Sequence, residues 1–464
     1  MRKACRNEYR SAMRIVGMVL AAGILLDAQQ PAPPAEMTVA QAVEAALRNY
    51  PSIRVTEEQM NAAAAGIRLA QTAYLPRVDG LLQVNRASRN TFYGMLLPQG
   101  VIPGVDGVKA DNFGSVFDSG AGVLVAWQPF DFGLRRANVA AATATRDQAQ
   151  AALNRTRYEV SVATADAFLT VIAARQTAEA AQAAVDSWQV LLRSIHALVN
   201  AQLRPGADES RVEAELALAQ TQVAQAEQAI EVARATLSEF VGTQVNLNPG
   251  KLMESPPDGP EAPFNAAGNP LAREQTAAIA QQQTRLDALG RTYYPQFLVQ
   301  GVASGRGTGL ETDGARLGGL NGLVPSVPNY GVGLTVTFPA MDRFATREQE
   351  AMQAANIRAQ EAQSQVIAAK LRAQFNTALA TLTGARKVAA YTTVAVSSGR
   401  TAVEQATARY RSGLAPIDDV AQAQRLLVQA RIDDALARLN VWRARLQVAT
   451  ARGDIQPFLD EAVR

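Results

Sequence analysis

The sequence predicts a mainly α-helical protein with a small β part, arranged as two tandem repeats. Residues 134–203 contain neither proline nor glycine and are rich in alanine, glutamine and arginine, so they predict one helix roughly 100 Å long. A strand of alternating pattern at 119–129 leads into this helix through a turn at 129–133. The same order of strand, turn and long helix recurs at 329–411, which indicates a unit of about 210 residues present twice.

The N-terminus has the pattern of a secretory signal peptide, which we place at residues 1–28. Arginine and lysine residues precede an apolar run at 15–26 that is too short to cross a bilayer, although a retained membrane anchor is the alternative. Removal of this segment brings the formal net charge of +3 to zero, so the charge gives no argument for nucleic-acid binding. Cys5, the only cysteine, lies in the same segment, so we expect neither a disulfide nor a lipid anchor.

Repeat 1 is placed at 38–246, after a proline-rich linker at 29–37. Thr38 is a candidate cap for the first of two short helices, and Tyr74-Leu75-Pro76 ends the second. The elements expected in this repeat are short helices at 39–48 and 52–73, strands at 77–88 and 119–129, a long helix at 134–203 and a return helix at 208–241.

Repeat 2 is placed at 266–453, after a second proline-rich connector at 247–265, and a C-terminal tail follows at 454–464. The prolines that precede the short helix and the strand are 25 residues apart in both repeats, at Pro51 and Pro76 and at Pro270 and Pro295. The elements expected here are a short helix at 271–293, strands at 296–304 and 329–338, a long helix at 345–411 and a return helix at 418–452.

The two return helices carry apolar residues at alternating spacings of four and three, from Val212 to Phe240 and from Val428 to Ala449. Such a seven-residue repeat is typical of helices that wind around a neighbour in a left-handed supercoil. Each long helix and its return helix should therefore form an antiparallel coiled-coil hairpin, with tips near Gly206 and Gly413.

The predicted strands have the length that crosses a bilayer when tilted, yet four strands are too few to close a membrane barrel. Aromatic and β-branched residues share one parity, and glycine, threonine and asparagine share the other. That pattern fits strands pooled by several chains into one barrel, with Trp127, Tyr330 and Phe338 in an aromatic girdle. It also fits half-buried strands of a soluble sheet.

The chain resembles the TolC family of outer-membrane efflux proteins of Gram-negative bacteria. The resemblance extends from residue 38 to about residue 453 and is carried by an ordered set of short motifs that occurs in both repeats. These are Asn49-Tyr50-Pro51 with Asn269-Pro270, Tyr74-Leu75-Pro76 with Tyr293-Tyr294-Pro295, Pro129-Phe130-Asp131, and the hairpin tip Arg409-Tyr410-Arg411-Ser412-Gly413.

The resemblance implies a homotrimer in which the strands are completed to a twelve-stranded β-barrel in the outer membrane. It also implies a long α-helical barrel across the periplasm, with the turns at 129–133 and 339–344 at the membrane–periplasm boundary. The implied function is a passive exit duct of a tripartite efflux or secretion system. Its implied partners are a periplasmic adaptor, an inner-membrane transporter and outer-membrane lipid.

The resemblance also assigns roles to residues at the hairpin tips. Asp419, with Asp418, Tyr410 and Gln422 nearby, would line the periplasmic entrance, where a ring of carboxylates favours cations. Ala415 stands where the family has an arginine, and Arg211 stands where a partner acid is expected. Capping of the helix start is the alternative role for Asp418 and Asp419. The residues expected to contact the adaptor are Arg204, Pro205, Gly206, Ser412, Gly413 and Leu414.

Catalysis finds little support in the sequence. His196 is the only histidine and lacks a partner at metal-binding spacing, so we expect it to lie on a helix surface or in packing. Asp433 and Asp434 are expected on a solvated helix surface. We therefore expect no enzymatic activity, metal, cofactor or nucleic-acid partner.

A periplasmic adaptor or a coiled-coil structural protein is the alternative function, because adaptors also contain long helical hairpins. An adaptor would carry one hairpin inserted into a lipoyl-like β-domain. This chain has two predicted hairpins and strands of membrane-spanning length, which favour the duct.

Overall fold

The structure, a computed structural model, describes residues 36–88, 115–203, 205–243, 246–254, 263–309, 311, 315–339 and 341–463. The predicted signal peptide, most of the following linker, the loop after the first strand and Arg204 lie outside the described residues. Repeat 1 contains α1 (Val39–Asn49), α2 (Pro51–Thr72), β1 (Arg77–Ser88), β2 (Ser115–Phe130), α3 (Leu134–Asn200) and α4 (Gly206–Val241). Repeat 2 contains α5 (Pro270–Leu289), β3 (Gln296–Thr308), β4 (Val327–Thr337), α6 (Asp342–Arg411) and α7 (Ile417–Arg452), and α8 (Gln456–Val463) follows.

The predicted capping residue and prolines lie at the helix starts where the sequence places them. Thr38 caps α1 through a capping box with Gln41, and prolines occupy the first position of α2 and of α5. Two strands are longer than expected: β2 begins at Ser115 and β3 runs on to Thr308. The added residues lie in glycine-rich sequence, but the neighbouring strands supply backbone partners for them, because Ser115 pairs with Ser88 and Thr308 pairs with Asp118.

The four strands form one antiparallel sheet in the order β1-β2-β3-β4. Each strand therefore pairs with its neighbours in sequence, and β1 and β4 are the two edges of the sheet.

The long helices form a layer one helix thick below the sheet. In the half next to the sheet, α2 packs on α3, and α5 lies between α3 and α6. In the other half, α4 replaces α2 beside α3, and α7 replaces α5 between α3 and α6. The layer is therefore four helices wide along its length, with α2 and α4 at one edge and α6 at the other. Among the described helices, none is both long enough and apolar enough to cross a bilayer.

A belt of short elements covers the middle of this layer and encloses the largest apolar core. α1, α8 and the single turn Gly250–Met253 pack on α3, α4 and α7 around Phe168, Trp442 and Phe458. The indole nitrogen of Trp442 donates to the backbone oxygen of Glu254 at 2.9 Å. The C-terminal segment, predicted only as a tail, thus contains a helix whose Phe458 and Leu459 are buried.

Asp434 is buried, so the expectation that Asp433 and Asp434 both lie on a solvated helix surface is wrong for Asp434. The helix α7 has α3 on one side and α6 on the other, so positions that would face water on a two-helix hairpin are covered. Asp434 is 6% exposed and accepts a hydrogen bond from Thr392 at 2.9 Å and an ion-pair contact from Arg438. Asp433 is exposed, as expected.

A buried ion pair fixes the corner between β2 and α3. The Nε of Arg135 donates to Oδ2 of Asp131 at 2.8 Å, and its other nitrogens donate to the backbone oxygens of Ala73 and Pro129 at 3.3 Å. The guanidinium also lies 4.7 Å from the ring centre of Tyr74. Burial raises the pKa of the Asp131 carboxyl, but hydrogen bonds from Arg135 and Gly133 outweigh burial and hold this pKa below its ordinary value.

Replacement of Arg135 by alanine should destabilise this corner strongly. Both side chains of the pair are about one-tenth exposed, so the change leaves the Asp131 carboxylate buried without its cation, at a cost of about 3–5 kcal/mol. Arg48→Ala is the matched control, because its pair with Glu44 is mostly exposed and contributes about 0.5 kcal/mol. Denaturant unfolding in detergent measures both variants, and equal effects would contradict a structural role for the corner.

Candidate functional site

The sheet has one apolar and one polar face. The strand registers bring Val78, Val125, Gly301 and Val332 to neighbouring positions on the first face. The complete apolar face is Val78, Gly80, Leu82, Val84, Ala121, Val123, Val125, Trp127, Phe297, Val299, Gly301, Ala303, Tyr330, Val332, Leu334 and Val336. The other face carries glycine and polar residues such as Gln83, Gln300 and Thr335 among a few aliphatic side chains.

The apolar face is open to the surroundings in a single chain. Leu82, Val332 and Tyr330 are 80%, 84% and 90% exposed. Contiguous exposed apolar surface of this kind marks contact with a membrane or with another protein. The predicted girdle residues Trp127, Tyr330 and Phe338 are also exposed, and the Trp127 indole donates to the backbone oxygen of Tyr74 at 3.2 Å.

An aromatic cluster that the sequence analysis did not identify lies where the sheet meets the helices. The rings of Phe130 and Phe132 are 4.6 Å apart, and Phe132 stacks on Tyr294 at 5.4 Å. Phe132 has a backbone φ of 50°, in the left-handed region, which turns its ring back toward the strand ends. The motifs Pro129-Phe130-Asp131 and Tyr293-Tyr294-Pro295 were both visible in the sequence, but their contact across the sheet was not.

The two hairpin tips have the same backbone geometry. Gln202 and Gly413 each adopt positive φ, at 56° and 74°. The next residue in each tip donates its N–H back into the long helix, from Leu203 to the oxygen of Leu198 and from Leu414 to that of Arg409. Both tips then enter the return helix through a proline, Pro205 or Pro416. Of the residues expected to contact an adaptor, Pro205, Gly206, Ser412, Gly413 and Leu414 are exposed.

Two polar contacts join the tip of one hairpin to the tip of the other. The hydroxyl of Tyr410 donates to Oδ2 of Asp208 at 2.8 Å, and Arg211 lies 3.2 Å from Oδ1 of Asp418. Tyr410 is only 2% exposed and packs with Trp188, Ile195 and other apolar residues between the hairpins. The acid facing the tyrosine is therefore Asp208, which the sequence analysis missed because it looked for that acid at position 211.

A third polar contact between α4 and α7 lies further from the tip. Glu215 is 6% exposed and lies 3.8 Å from Arg211 on its own helix and 3.2 Å from Arg425 on α7. The alternating order Asp418, Arg211, Glu215, Arg425 ties α4 to α7 through opposite charges. The sequence alone does not distinguish Glu215 from the other acids of α4, because its burial depends on the packing of α4 against α3 and α7.

Asp419 and Gln422 lie on the exposed side of the start of α7. Asp418 is exposed as well, although it pairs with Arg211. The predicted entrance residues are therefore of two kinds: Tyr410 lies within the contact between the hairpins, and the other three face the surroundings. His196 is largely exposed and contacts Glu209, and no cluster of metal-binding side chains occurs in the described ranges.

Solved outer-membrane channels have a similar fold. The CmeC outer membrane channel of Campylobacter jejuni matches with a TM-score of 0.71 at 14% identity, covering 92% of this chain and 89% of that one. The outer membrane protein VceC of Vibrio cholerae matches with 0.70 at 16% identity, covering 90% and 96%. The open state of the Neisseria gonorrhoeae MtrE outer membrane channel gives 0.68 at 16% identity, covering 90% and 89%.

No curated protein matches the sequence. The model of one protein family, described as outer membrane efflux protein, matches residues 42–243 and 266–454, which correspond closely to the two repeats. This match covers most of the sequence and confirms the resemblance to the TolC family. The chain therefore belongs to the outer membrane efflux protein family, and its place is in the outer membrane.

Proposed function

We propose that three copies of this chain close into a duct that conducts substrate passively from the periplasm to the exterior. The observation that carries the proposal is that the sheet and the helical layer have the same number of elements across their width. The sheet is four strands wide, the helical layer is four helices wide, and both are open at two edges. A sheet edge cannot face lipid, because its backbone groups would have no hydrogen-bond partners there.

A closed ring of copies joined edge to edge removes all the open edges, and the resemblance to the TolC family implies three copies. They supply twelve strands, which is within the range of bacterial membrane barrels, and a matching ring of twelve helices. The exposed apolar face of the sheet then contacts lipid, and the polar face lines water. Strands of 11 to 16 residues are long enough to cross the bilayer when tilted.

The long helices carry the duct away from the membrane. With 67 and 70 residues, α3 and α6 are each roughly 100 Å long, so the tips lie far from the sheet. The corner at Asp131 and Arg135 and the aromatic cluster lie at the membrane–periplasm boundary. The exposed tips are the surfaces available to a periplasmic adaptor, through which an inner-membrane transporter would supply substrate and energy.

The tips also form the entrance that opens and closes. In a three-fold ring, Asp419 of each copy would contribute to a carboxylate ring that attracts cations. The contacts of Tyr410 with Asp208 and of Arg211 with Asp418 hold the two hairpins of one copy together, so opening requires them to part. The family match favours this role over the alternative of a periplasmic adaptor, and the duct itself performs no bond chemistry.

The function is tested by reconstitution of the purified protein into planar lipid bilayers. We expect discrete single-channel currents, since a water-filled barrel conducts ions without added energy. A heat-treated sample of the same protein is the control. A protein that fractionates with the soluble periplasm and gives no currents would contradict the duct.

Asp419→Asn should reduce the cation selectivity of the channel, because each copy loses one negative charge at the entrance. Reversal potentials under a salt gradient measure this effect. Asp433→Asn is the matched control, since it makes the same charge change at an exposed site about four turns further along α7. Unchanged selectivity in Asp419→Asn would remove this residue from the entrance.

Tyr410→Phe should raise the open probability of the channel. The change removes a hydrogen bond to a carboxylate, worth about 1.5–3 kcal/mol, while it keeps the ring that packs between the hairpins. Tyr391→Phe is the control, because Tyr391 is 76% exposed on the same helix. Equal open probabilities for the two variants would show that the Tyr410 hydroxyl does not hold the entrance shut.

A further inference from the structure

Two arginines meet at the end of the sheet that lies away from the helices. Ser115 is the first residue of β2, and Arg86 lies near the end of the neighbouring strand β1. The Nε of Arg86 donates to Oγ of Ser115 at 3.1 Å. A terminal nitrogen of Arg316, from the segment between β3 and β4, donates to the backbone oxygen of the same serine at 2.9 Å. Two positive charges therefore converge on one neutral residue.

Neither of these arginines forms an ion pair with an acid of the described residues. Arg86 and Arg316 are both exposed, and their bonds to Ser115 leave other N–H groups of each guanidinium without a partner in the described ranges. Arg77, at the opposite end of β1, differs because it pairs with Asp79 at 2.9 Å. Neighbouring like charges on a sheet are unfavourable, so an anion between Arg86 and Arg316 would stabilise this end of the sheet.

Arg86 continues the apolar face of the sheet. It follows Leu82 and Val84 at the next position of the same parity, and these two side chains are 80% and 51% exposed. Its register partner Phe117 lies on the same face, and the guanidinium carbon of Arg86 is 5.0 Å from the centre of that ring. Along β1 this face therefore changes from apolar to cationic.

The arginines lie at the height expected for lipid headgroups. Phe117 and Trp127, the predicted girdle residue near the helices, are separated by ten positions of β2. At about 3.4 Å per residue and a tilt of about 40°, this separation rises about 26 Å along the membrane normal. The apolar band of a membrane barrel is about 25 Å tall and has an aromatic girdle at each side. Phe117 and Arg86 therefore correspond to the girdle at the outer side.

We propose that Arg86 and Arg316 bind a phosphate-bearing headgroup of a lipid in the outer leaflet, whose acyl chains lie along Leu82 and Val84. The inference rests on the proposed function, in which the apolar face of the sheet contacts lipid. Guanidinium groups bind phosphate oxygens through paired N–H donors in a fixed plane. Ser115 holds Nε of Arg86, and the ring of Phe117 lies against the guanidinium, so the two terminal nitrogens of Arg86 are oriented for the phosphate.

The surroundings of the arginines favour a lipid over a soluble anion. A free phosphate ion would form only exposed ion pairs here, which are screened by water and contribute little. A lipid forms the same pairs and in addition covers the exposed side chains of Leu82 and Val84 with its acyl chains. The site therefore requires a phosphate and an apolar chain in one molecule.

Native mass spectrometry of the purified protein in detergent tests this site, with lipid A as the probe. We expect adducts with lipid A that carries its phosphates and few with lipid A from which the phosphates have been removed. The double variant Arg86→Gln with Arg316→Gln should lower the apparent affinity for the phosphorylated lipid at least about tenfold, because a hydrogen bond to a charged group contributes about that factor.

Arg77→Gln is the matched control, because it makes the same change of charge on β1 at the end near the helices. Equal binding by the double variant and this control, or equal binding of the two forms of lipid A, would overturn the site. Displacement of the lipid by an equal concentration of inorganic phosphate would indicate a site for free anions and would also overturn the proposal.

Thermal unfolding provides a second measurement that does not depend on the basal stability of the variants. Phosphorylated lipid A should raise the Tm of the unmodified protein and of Arg77→Gln, and it should raise the Tm of the double variant much less. An equal rise in all three proteins would contradict a role for the two arginines.

Failure of this site is distinguishable from failure of the duct. The double variant should give the same single-channel currents as the unmodified protein, because the arginines lie at the far end of the sheet from the hairpin tips. Normal currents with unchanged lipid binding in the double variant would overturn the lipid site alone. The absence of currents from the unmodified protein would contradict the duct.

Discussion

The structure depends on one constraint: the described strands form one sheet and the long helices form one layer, and each of the two has two open edges. A sheet of four strands and a layer of four helices cannot bury their own flanks. The order of elements is the same in both, from repeat 1 at one edge to repeat 2 at the other. In the proposed assembly, one rotation therefore closes both layers at once.

The other features give the sheet two different faces and join it to the helices. The strand parity gives the sheet one apolar and one polar face, and the buried pair of Asp131 and Arg135 turns the chain from strand to helix. The belt around Trp442 and Phe458 encloses the largest apolar core of the described residues, at the middle of the long helices. At the tips, a buried apolar cluster around Tyr410 and Trp188 joins the two hairpins, and polar contacts such as that of Arg211 with Asp418 lie beside it.

The sequence allowed the mainly α class, the four strands and the tandem repeat to be predicted, because prolines and periodic apolar residues act locally. What it could not supply were contacts between distant positions. Tyr410 and Asp208 are 202 residues apart, and no local pattern pairs them. Asp434 was expected to be solvated because only the tertiary structure shows that α7 lies between two long helices. The roles of Asp419 and Gln422 remain proposals that follow from the resemblance and from their exposure.

Electron microscopy of the purified protein in lipid nanodiscs tests the central claim most directly, because it counts the copies and traces the sheet order in one measurement. The account predicts a closed ring of three copies in which β4 of each copy adjoins β1 of the next and the polar face lines the lumen. A ring with a different number of copies, or a single chain whose β1 and β4 edges remain unpaired, would contradict it.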